Sequence, residues 1–298
     1  MFKKGQITLF ILLGIAIIIA VGTTIVVKQK SSVDTVPSRI AKTSLESDKI
    51  KNYVNNCLQQ VSEKGIRLIA LQGGYINARG DNKYNEQGDG FSSKTHYFFS
   101  NLALPYLWFE KKSQLRPVDD IKTKLANYVV IEMQNCLNFS SYESQGYKIK
   151  KPDIWQIKSE YEKGISVNYS STKVKADAIF SDEAVFVNLK YPLFFERGET
   201  KTEVIDFSVS IPLRLFLLYN IANKLLKNSL EEKYEVNKHC EELSSKDKIV
   251  NIYLHTNQYD YDYVVQIVDI KPLISKKEMP LKFQFATRNA KLEGDCVG

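Results

Sequence analysis

VFVNLKYPLFFERGETKTEVIDFSVSI, residues 185–211, is the stretch whose pattern decides the class of fold. Val185, Val187, Leu189 and Tyr191 recur at every second position, and Ile205, Phe207, Val209 and Ile211 do the same. Successive side chains on a strand point to opposite faces, so a period of two predicts two strands that each bury one face. Arg197-Gly198 supplies the turn between them, and Ser181-Asp182 marks a turn before the first. With Ile165, Val167 and Tyr169 forming another such run, the pattern predicts an antiparallel meander.

Downstream, Pro212 is expected to open an apolar helix reaching about Leu230, packed on the sheet. Arg214, Asn220, Asn223 and Lys224 are too polar for a second membrane span. Strands return at Ile249–Leu254, Val264–Ile270 and Leu281–Ala286, with Tyr259-Asp260-Tyr261-Asp262 as a turn between the first two.

Upstream, the period becomes helical. Thr43 with Glu46 three residues on is a capping-box pattern, and Ile50, Tyr53, Val54, Cys57, Leu58 and Val61 then share one face. This helix is expected to pass Gly65 and to stop at Gly73-Gly74, where glycine adopts the left-handed conformation a helix end needs. Residues 77–94 are polar and Gly/Asn/Asp-rich and read as a loop or long hairpin. The aromatic run Tyr97 to Phe109 is expected to be buried within the domain. A second helix opens at Pro117 with Asp119 and Asp120 in its first turn, where the helix dipole favours negative charge. Its apolar face is Ile121, Leu125, Tyr128, Val129, Met133, Cys136 and Leu137. Tyr53-Val54 before Cys57-Leu58 and Tyr128-Val129 before Cys136-Leu137 give the two helices a partial likeness to each other. Helices and strands in blocks, rather than in strict alternation, indicate an α+β class. The expected organisation is a signal anchor over 1–30, a linker over 31–42 interrupted by Pro37, and an α+β domain over 43–298. That domain is helical to about residue 150 and mainly β beyond, with helices packed on antiparallel sheet.

The anchor is the run Ile7–Val27, with 21 residues, no charge, no proline, and 14 side chains that are Ile, Leu, Val or Phe. At 1.5 Å per residue a helix of that length spans about 30 Å, one bilayer hydrocarbon core. Lys3 and Lys4 precede it and Lys28 and Lys30 follow it. The lysine bias is therefore nearly balanced, and long domains translocate largely regardless of charge. A short basic stretch before an apolar run is the arrangement of a signal anchor, which places the domain outside the cytoplasm. Three fates are open to the N-terminus: cleavage after Gly5, before Gln6, at a prepilin-like site; cleavage after Gly22; or no cleavage. Phe10 stands where such pilins usually carry glutamate, and Pro37 interrupts the continuous helix that they use.

Four cysteines, Cys57, Cys136, Cys240 and Cys296, form the distinctive chemical group. None lies in a C-x-x-C pair, so the spacing excludes the common zinc and thioredoxin-like motifs. An even, widely spaced set fits two disulfides in a translocated domain. Of three connectivities the favoured one is Cys57–Cys136, because both sit on the inner faces of two helices, leaving Cys240–Cys296. Buried free thiols are the alternative.

The net charge of +7 is scattered over 25% charged residues, without the basic track a nucleic-acid partner needs. Anionic headgroups and cell-wall polymer are the electrostatic partners this leaves open. Asn138 and Asn168 open glycosylation triplets that matter only outside the cell. His239-Cys240-Glu241-Glu242 lacks a second ligand pair at helical spacing, and Asp260 and Asp262 lack the glycine and glutamate of a calcium loop. No nucleophile elbow, phosphate loop or dinucleotide motif is present, so no catalytic, cofactor or metal residue is assigned and no cofactor is expected.

Six residue groups, Lys4-Gly5-Gln6, Cys57-Leu58, Leu71-Gln72-Gly73-Gly74-Tyr75-Ile76, Cys136-Leu137, Tyr191-Pro192-Leu193 and Phe283-Gln284-Phe285-Ala286, stand in this order along the chain. In them it resembles an uncharacterised archaeal family of single-span membrane proteins with outside domains and a prepilin-like N-terminus. The resemblance implies an architecture and a location, and no reaction. The resulting expectation is a non-enzymatic cell-surface protein held in the bilayer by Ile7–Val27. It would bind a protein partner, or further copies of itself, or scaffold the envelope. The alternative is a surface hydrolase acting on glycan or peptide through carboxylates that converge from distant positions.

Overall fold

The computed structural model describes residues 38–76, 78, 96–99, 102–109, 111–154, 173–227, 234–239, 250–256, 262–271, 279–288, 290 and 292–296. Gly5, Gln6, the run Ile7–Val27, Cys240 and the expected strand at Ile165–Tyr169 lie outside them. Among the described residues no helix is long and apolar enough to cross a membrane. The chain divides into two compact units, Met1–Asp48 and Lys49–Gly298. Of the first, residues 38–48 are described, and they are helical.

Helix α1, Ser38–Leu71, is longer than the capping-box pattern implied. Ser38 to Lys42, expected as linker, already belong to it, and Thr43 lies inside it. The far end is as expected. Gly73 and Gly74 both have positive φ, 60° and 101°, and the Gly74 amide donates to the Ile69 carbonyl at 2.9 Å.

Helix α2, Val118–Cys136, begins directly after Pro117 with Asp119 and Asp120 in its first turn. Both helices bury the faces that their periodicity marked out, from Ile50, Val54, Leu58 and Val61 on α1 to Ile121, Leu125, Tyr128, Val129 and Met133 on α2. Cys57 and Cys136 are disulfide-bonded with their Cα atoms 5.9 Å apart, the favoured pairing. Beside the bond, the Tyr53 hydroxyl donates to the Asn138 carbonyl at 2.8 Å and accepts the Asn138 amide at 2.9 Å. Where the helices meet, α1 carries Gly65. A Cβ there would stand 2.8 Å from both Leu125 Cδ1 and Tyr128 Cδ1, so only glycine permits this approach.

A four-stranded antiparallel sheet contains β4 (Lys148–Lys150), β5 (Lys175–Phe180), β6 (Val185–Arg197) and β7 (Thr200–Ile211). The hairpin β6–β7 turns at Gly198, as read from the sequence. Val185, Val187, Leu189, Tyr191, Leu193 and Phe195 face the core. α2 packs on β5, whose inward residues, Ala176 and Ala178, are small enough to let a helix lie close.

One expectation fails in β7. Lys190 pairs with Asp206 but Leu193 pairs with Val204, so Tyr191 and Pro192 together oppose the single residue Ile205. This β-bulge shifts the alternation of β7 by one. Phe207 and Ile211 face inward, yet beyond the bulge it is Val204 that packs against the core and Ile205 that is left 39% exposed. Continuing the odd-numbered phase would have turned Glu203 and Lys201 inward. Leaving one isoleucine in water costs at most about 1.5–3 kcal/mol, whereas each unpaired buried charge costs several. The bulge is the cheaper solution.

The second sheet is mixed rather than antiparallel throughout. It runs β1 (His96–Phe99), β2 (Leu102–Phe109), β11 (Lys282–Thr287), β10 (Tyr263–Asp269), β9 (Val250–Thr256), with β3 (Lys112–Ser113) added on β2. β2 and β11 are parallel, with Ala286 opposite Tyr106 and Thr287 opposite Trp108. Of the aromatic run, residues 103–108 are buried as expected, whereas Tyr97, Phe99 and Phe109 are only half-buried. Helix α4, Leu215–Lys227, starts three residues after the expected Pro212 and packs on β10 and β11; residues 228–230 lie outside the described ones. Completing the described elements are the single turn α3 (Ser140–Glu143) and the parallel pair β8 (Tyr234–Glu235) with β12 (Leu292–Glu293). One continuous apolar core joins the helices to the inner faces of both sheets.

Two outcomes follow from this packing. Gly65→Ala gains helix propensity of about 1 kcal/mol but drives a methyl into fully buried side chains. It should destabilise by a net 1–3 kcal/mol or so, read from urea unfolding; a stabilised variant would disprove the close crossing. Tyr191 is buried, its hydroxyl has no hydrogen-bond partner among the described residues, and burial pushes its phenol from 10.0 up to about 12. The neutral form is the one the fold favours. Stability should therefore hold below pH 10 and fall as pH rises toward 12, and Tyr191→Phe should lessen that fall in unfolding titrations at about pH 8 and 11.

Candidate functional site

The six-stranded sheet turns one face to the core. Its other face carries a separate cluster in which Leu104, Tyr106, Val264 and Ala286 are buried and Tyr97, Phe99 and Phe109 are partly exposed. Strand geometry brings these together: Val264 lies opposite Ala286 and His255, and Ala286 opposite Tyr106. At its centre the Tyr106 hydroxyl donates to Asp262 Oδ2 at 2.7 Å. Arg288 Nη2 donates to the Tyr106 oxygen at 2.7 Å and to Asp262 Oδ2 at 3.3 Å. The guanidinium carbon stands 4.3 Å above the Tyr106 ring, a cation–π arrangement, and Tyr97 meets that ring edge-on at 6.3 Å. Farther along, Phe99 lies 5.4 Å from the exposed His255 ring, whose Nε2 is 3.0 Å from Gln266 Oε1.

Electrostatics define what this cluster does. Burial raises the Tyr106 phenol well above its ordinary value, and the Asp262 hydrogen bond and charge raise it further, with Arg288 opposing. The phenol therefore stays protonated and donates to a carboxylate that it shares with a cation. Tyr106 therefore serves here as a hydrogen-bond donor and not as a base.

A second buried charge pair lies on the core side. Arg214 forms a two-pronged bond to Asp269, through Nε to Oδ2 at 2.8 Å and through Nη2 to Oδ1. The Lys271 amide also donates to Oδ1, at 2.9 Å. The pair joins the segment ahead of α4 to the end of β10. Asp262 and Asp269 are the buried carboxylates among the described residues, and arginine occupies both.

Of the residues singled out in the sequence, Cys57 and Cys136 are brought together. Cys296 is also disulfide-bonded and forms a two-hydrogen-bond bridge to Ile252 of β9; Cys240, its expected partner, lies outside the described residues. Asp262 is buried rather than set at a hairpin tip, and Asp260 lies outside. His239 ends a 3₁₀ turn, Val236–His239, and Cys240-Glu241-Glu242 lie outside. No group of three or more His, Cys, Asp or Glu side chains able to hold a metal converges among the described residues. Asn138 is exposed, with Oδ1 accepting the Ser140 amide at 3.0 Å. Sequence reading missed Tyr106 and Arg288. They lie 156 and 26 residues from Asp262, and nothing local marks them as its partners.

If Asp269 is structural, Asp269→Leu alone strands the Arg214 charge and should destabilise by about 3–5 kcal/mol, while Arg214→Met with Asp269→Leu should recover most of that loss. Urea unfolding of the three proteins checks it. A single variant of unaltered stability would free Asp269 for another role. Compared with known protein families, curated proteins and solved structures, the chain shows no significant match.

Proposed function

We propose that this chain is a non-enzymatic cell-surface protein, anchored in the bilayer by Ile7–Val27, whose extracytoplasmic part binds a partner or scaffolds a surface assembly. The observation that carries the reading is the Cys57–Cys136 disulfide between two core helices, with Cys296 oxidised as well. Structural disulfides persist in oxidising compartments and are rare in the cytosol. An uncharged apolar run at the N-terminus supplies the means of export and attachment. Binding is favoured over hydrolysis by the chemistry of the second sheet face. It presents partly exposed rings of Tyr97, Phe99 and Phe109 around a carboxylate already paired with Arg288 and hydrogen-bonded by Tyr106. Hydrolysis by paired carboxylates requires one free to take a proton and another free to give one.

The test uses the full chain in its own membrane. A C-terminal tag should be digested by protease added to intact cells, and mild detergent should extract an oligomer or a stable complex. Alkylation without reductant should leave Cys57 and Cys136 unlabelled. A protected tag, or two reactive thiols at those positions, overturns the location; a lone monomer with measurable turnover overturns the binding role.

A further inference from the structure

A cleft of about 500 Å³ opens on the outer side of the four-stranded sheet, where β4 and the turn ends of β6 and β7 meet. Volumes of this order are typical of small-ligand sites. Strand register sets two rows of three across it. Lys148, Glu196 and Lys201 form one, and Lys150, Phe194 and Glu203 form the other. Phe194 lies in the middle of its row and is 43% exposed, although Lys150, Glu203 and Glu196 beside it are all charged. Lys201 leans on Glu196 at 4.0 Å. Lys148 and Lys150 enter no ion pair among the described residues, and nor does Glu203.

Isolated apolar side chains on a surface are ordinary. Three features set this one apart: it sits in a cleft, it is flanked by Lys150 and Glu203, which form no ion pair among the described residues, and Lys148 lies two residues from Lys150 on β4. A fitting ligand must offer an apolar face for the ring, an anionic group for the lysines and hydroxyl donors for Glu203. Inorganic phosphate has the charge without the face. A neutral sugar has the face and the hydroxyls but leaves the lysines without a counter-charge. A hexuronic acid has all three: the C–H face of a pyranose ring, a carboxylate and a row of hydroxyls.

We infer that this cleft binds a hexuronate unit of an acidic glycan, with its ring on Phe194, its carboxylate at Lys148 and Lys150, and its hydroxyls donating to Glu203. The assignment deepens the binding reading above and rests on it for where such a polymer is met. The site is separate from the Tyr106–Asp262–Arg288 cluster and shares no residue with it.

The full-length protein in detergent micelles is titrated with a fluorescently labelled hexuronate oligomer, a neutral hexose oligomer of equal length, and inorganic phosphate as competitor. The hexuronate should bind, with affinity falling several-fold between about 0.05 and 0.3 M salt as the lysine contacts are screened. Phe194→Ala and Lys150→Ala should each weaken it roughly ten-fold or more. Lys150→Arg should keep most of the binding, and Ile179→Ala, at the far end of the same sheet face, should change nothing. Absence of hexuronate binding, equal binding of the neutral oligomer, full competition by phosphate, or wild-type affinity in Phe194→Ala each overturns the assignment. Loss of hexuronate binding with a co-extracted partner still present removes the glycan and leaves the general binding role standing.

Discussion

The crossing of α1 and α2 at Gly65 is the constraint on which the rest of the fold depends. With no side chain on α1 at that point, Leu125 and Tyr128 of α2 come within a distance that no other residue allows. The Cys57–Cys136 bond then joins the same two helices at a second point. α2 also lies on β5, and the core that begins between the helices continues to the inner faces of both sheets. An error in this one contact would move the layer against which the alanines of β5 and the large residues of β6 are packed. Dense interiors do not absorb such shifts without voids or strain. The disulfide and the glycine act on different states. One limits the freedom of the unfolded chain, whereas the other removes a clash from the folded one.

How much of this was legible follows from how local each signal is. Period-two runs in β6 and period-3.6 faces in both helices are short-range patterns, and the structure follows them closely. Gly73-Gly74 and Pro117 are local as well, and they bound α1 and α2 as their backbone preferences require. The start of α1 was misplaced because Thr43–Glu46 imitates a cap whose energy, about 1 kcal/mol, is easily outweighed. The parallel pairing of β2 with β11 was hidden for a different reason. It joins residues nearly 180 positions apart, Tyr106 with Ala286, and no periodicity encodes which distant strand becomes a neighbour.

The candidate site was the least legible part. Asp262 stood out as one of two aspartates between tyrosines, which suggested an exposed tip. Its partners, Tyr106 and Arg288, come from elements that meet only after the mixed sheet has formed. A buried carboxylate is tolerated when it is paired and hydrogen-bonded, so the position of Asp262 becomes intelligible only once those partners are in place. The same holds for Asp269 and Arg214, 55 residues apart. The arginine was legible as too polar for a membrane span, but not as one half of a buried pair.

Pro192 connects the core to the outer cleft. It is one of the two residues that oppose Ile205, and the bulge they form changes the phase of β7 just before its turn end. On the inner side, that change lets Val204 replace a charge in the apolar layer. On the outer side, it sets Glu203, rather than Thr202, directly beside Phe194 and turns Lys201 toward Glu196. Without the bulge the two rows across the cleft would not exist, since Glu203 and Lys201 would point into the core. A distortion needed to keep charge out of the interior therefore also sets an aromatic ring between a cation and an anion on the surface. Binding sites next to bulges commonly arise in this way, because a local break in register is what re-aims side chains that regular pleating would have turned inward.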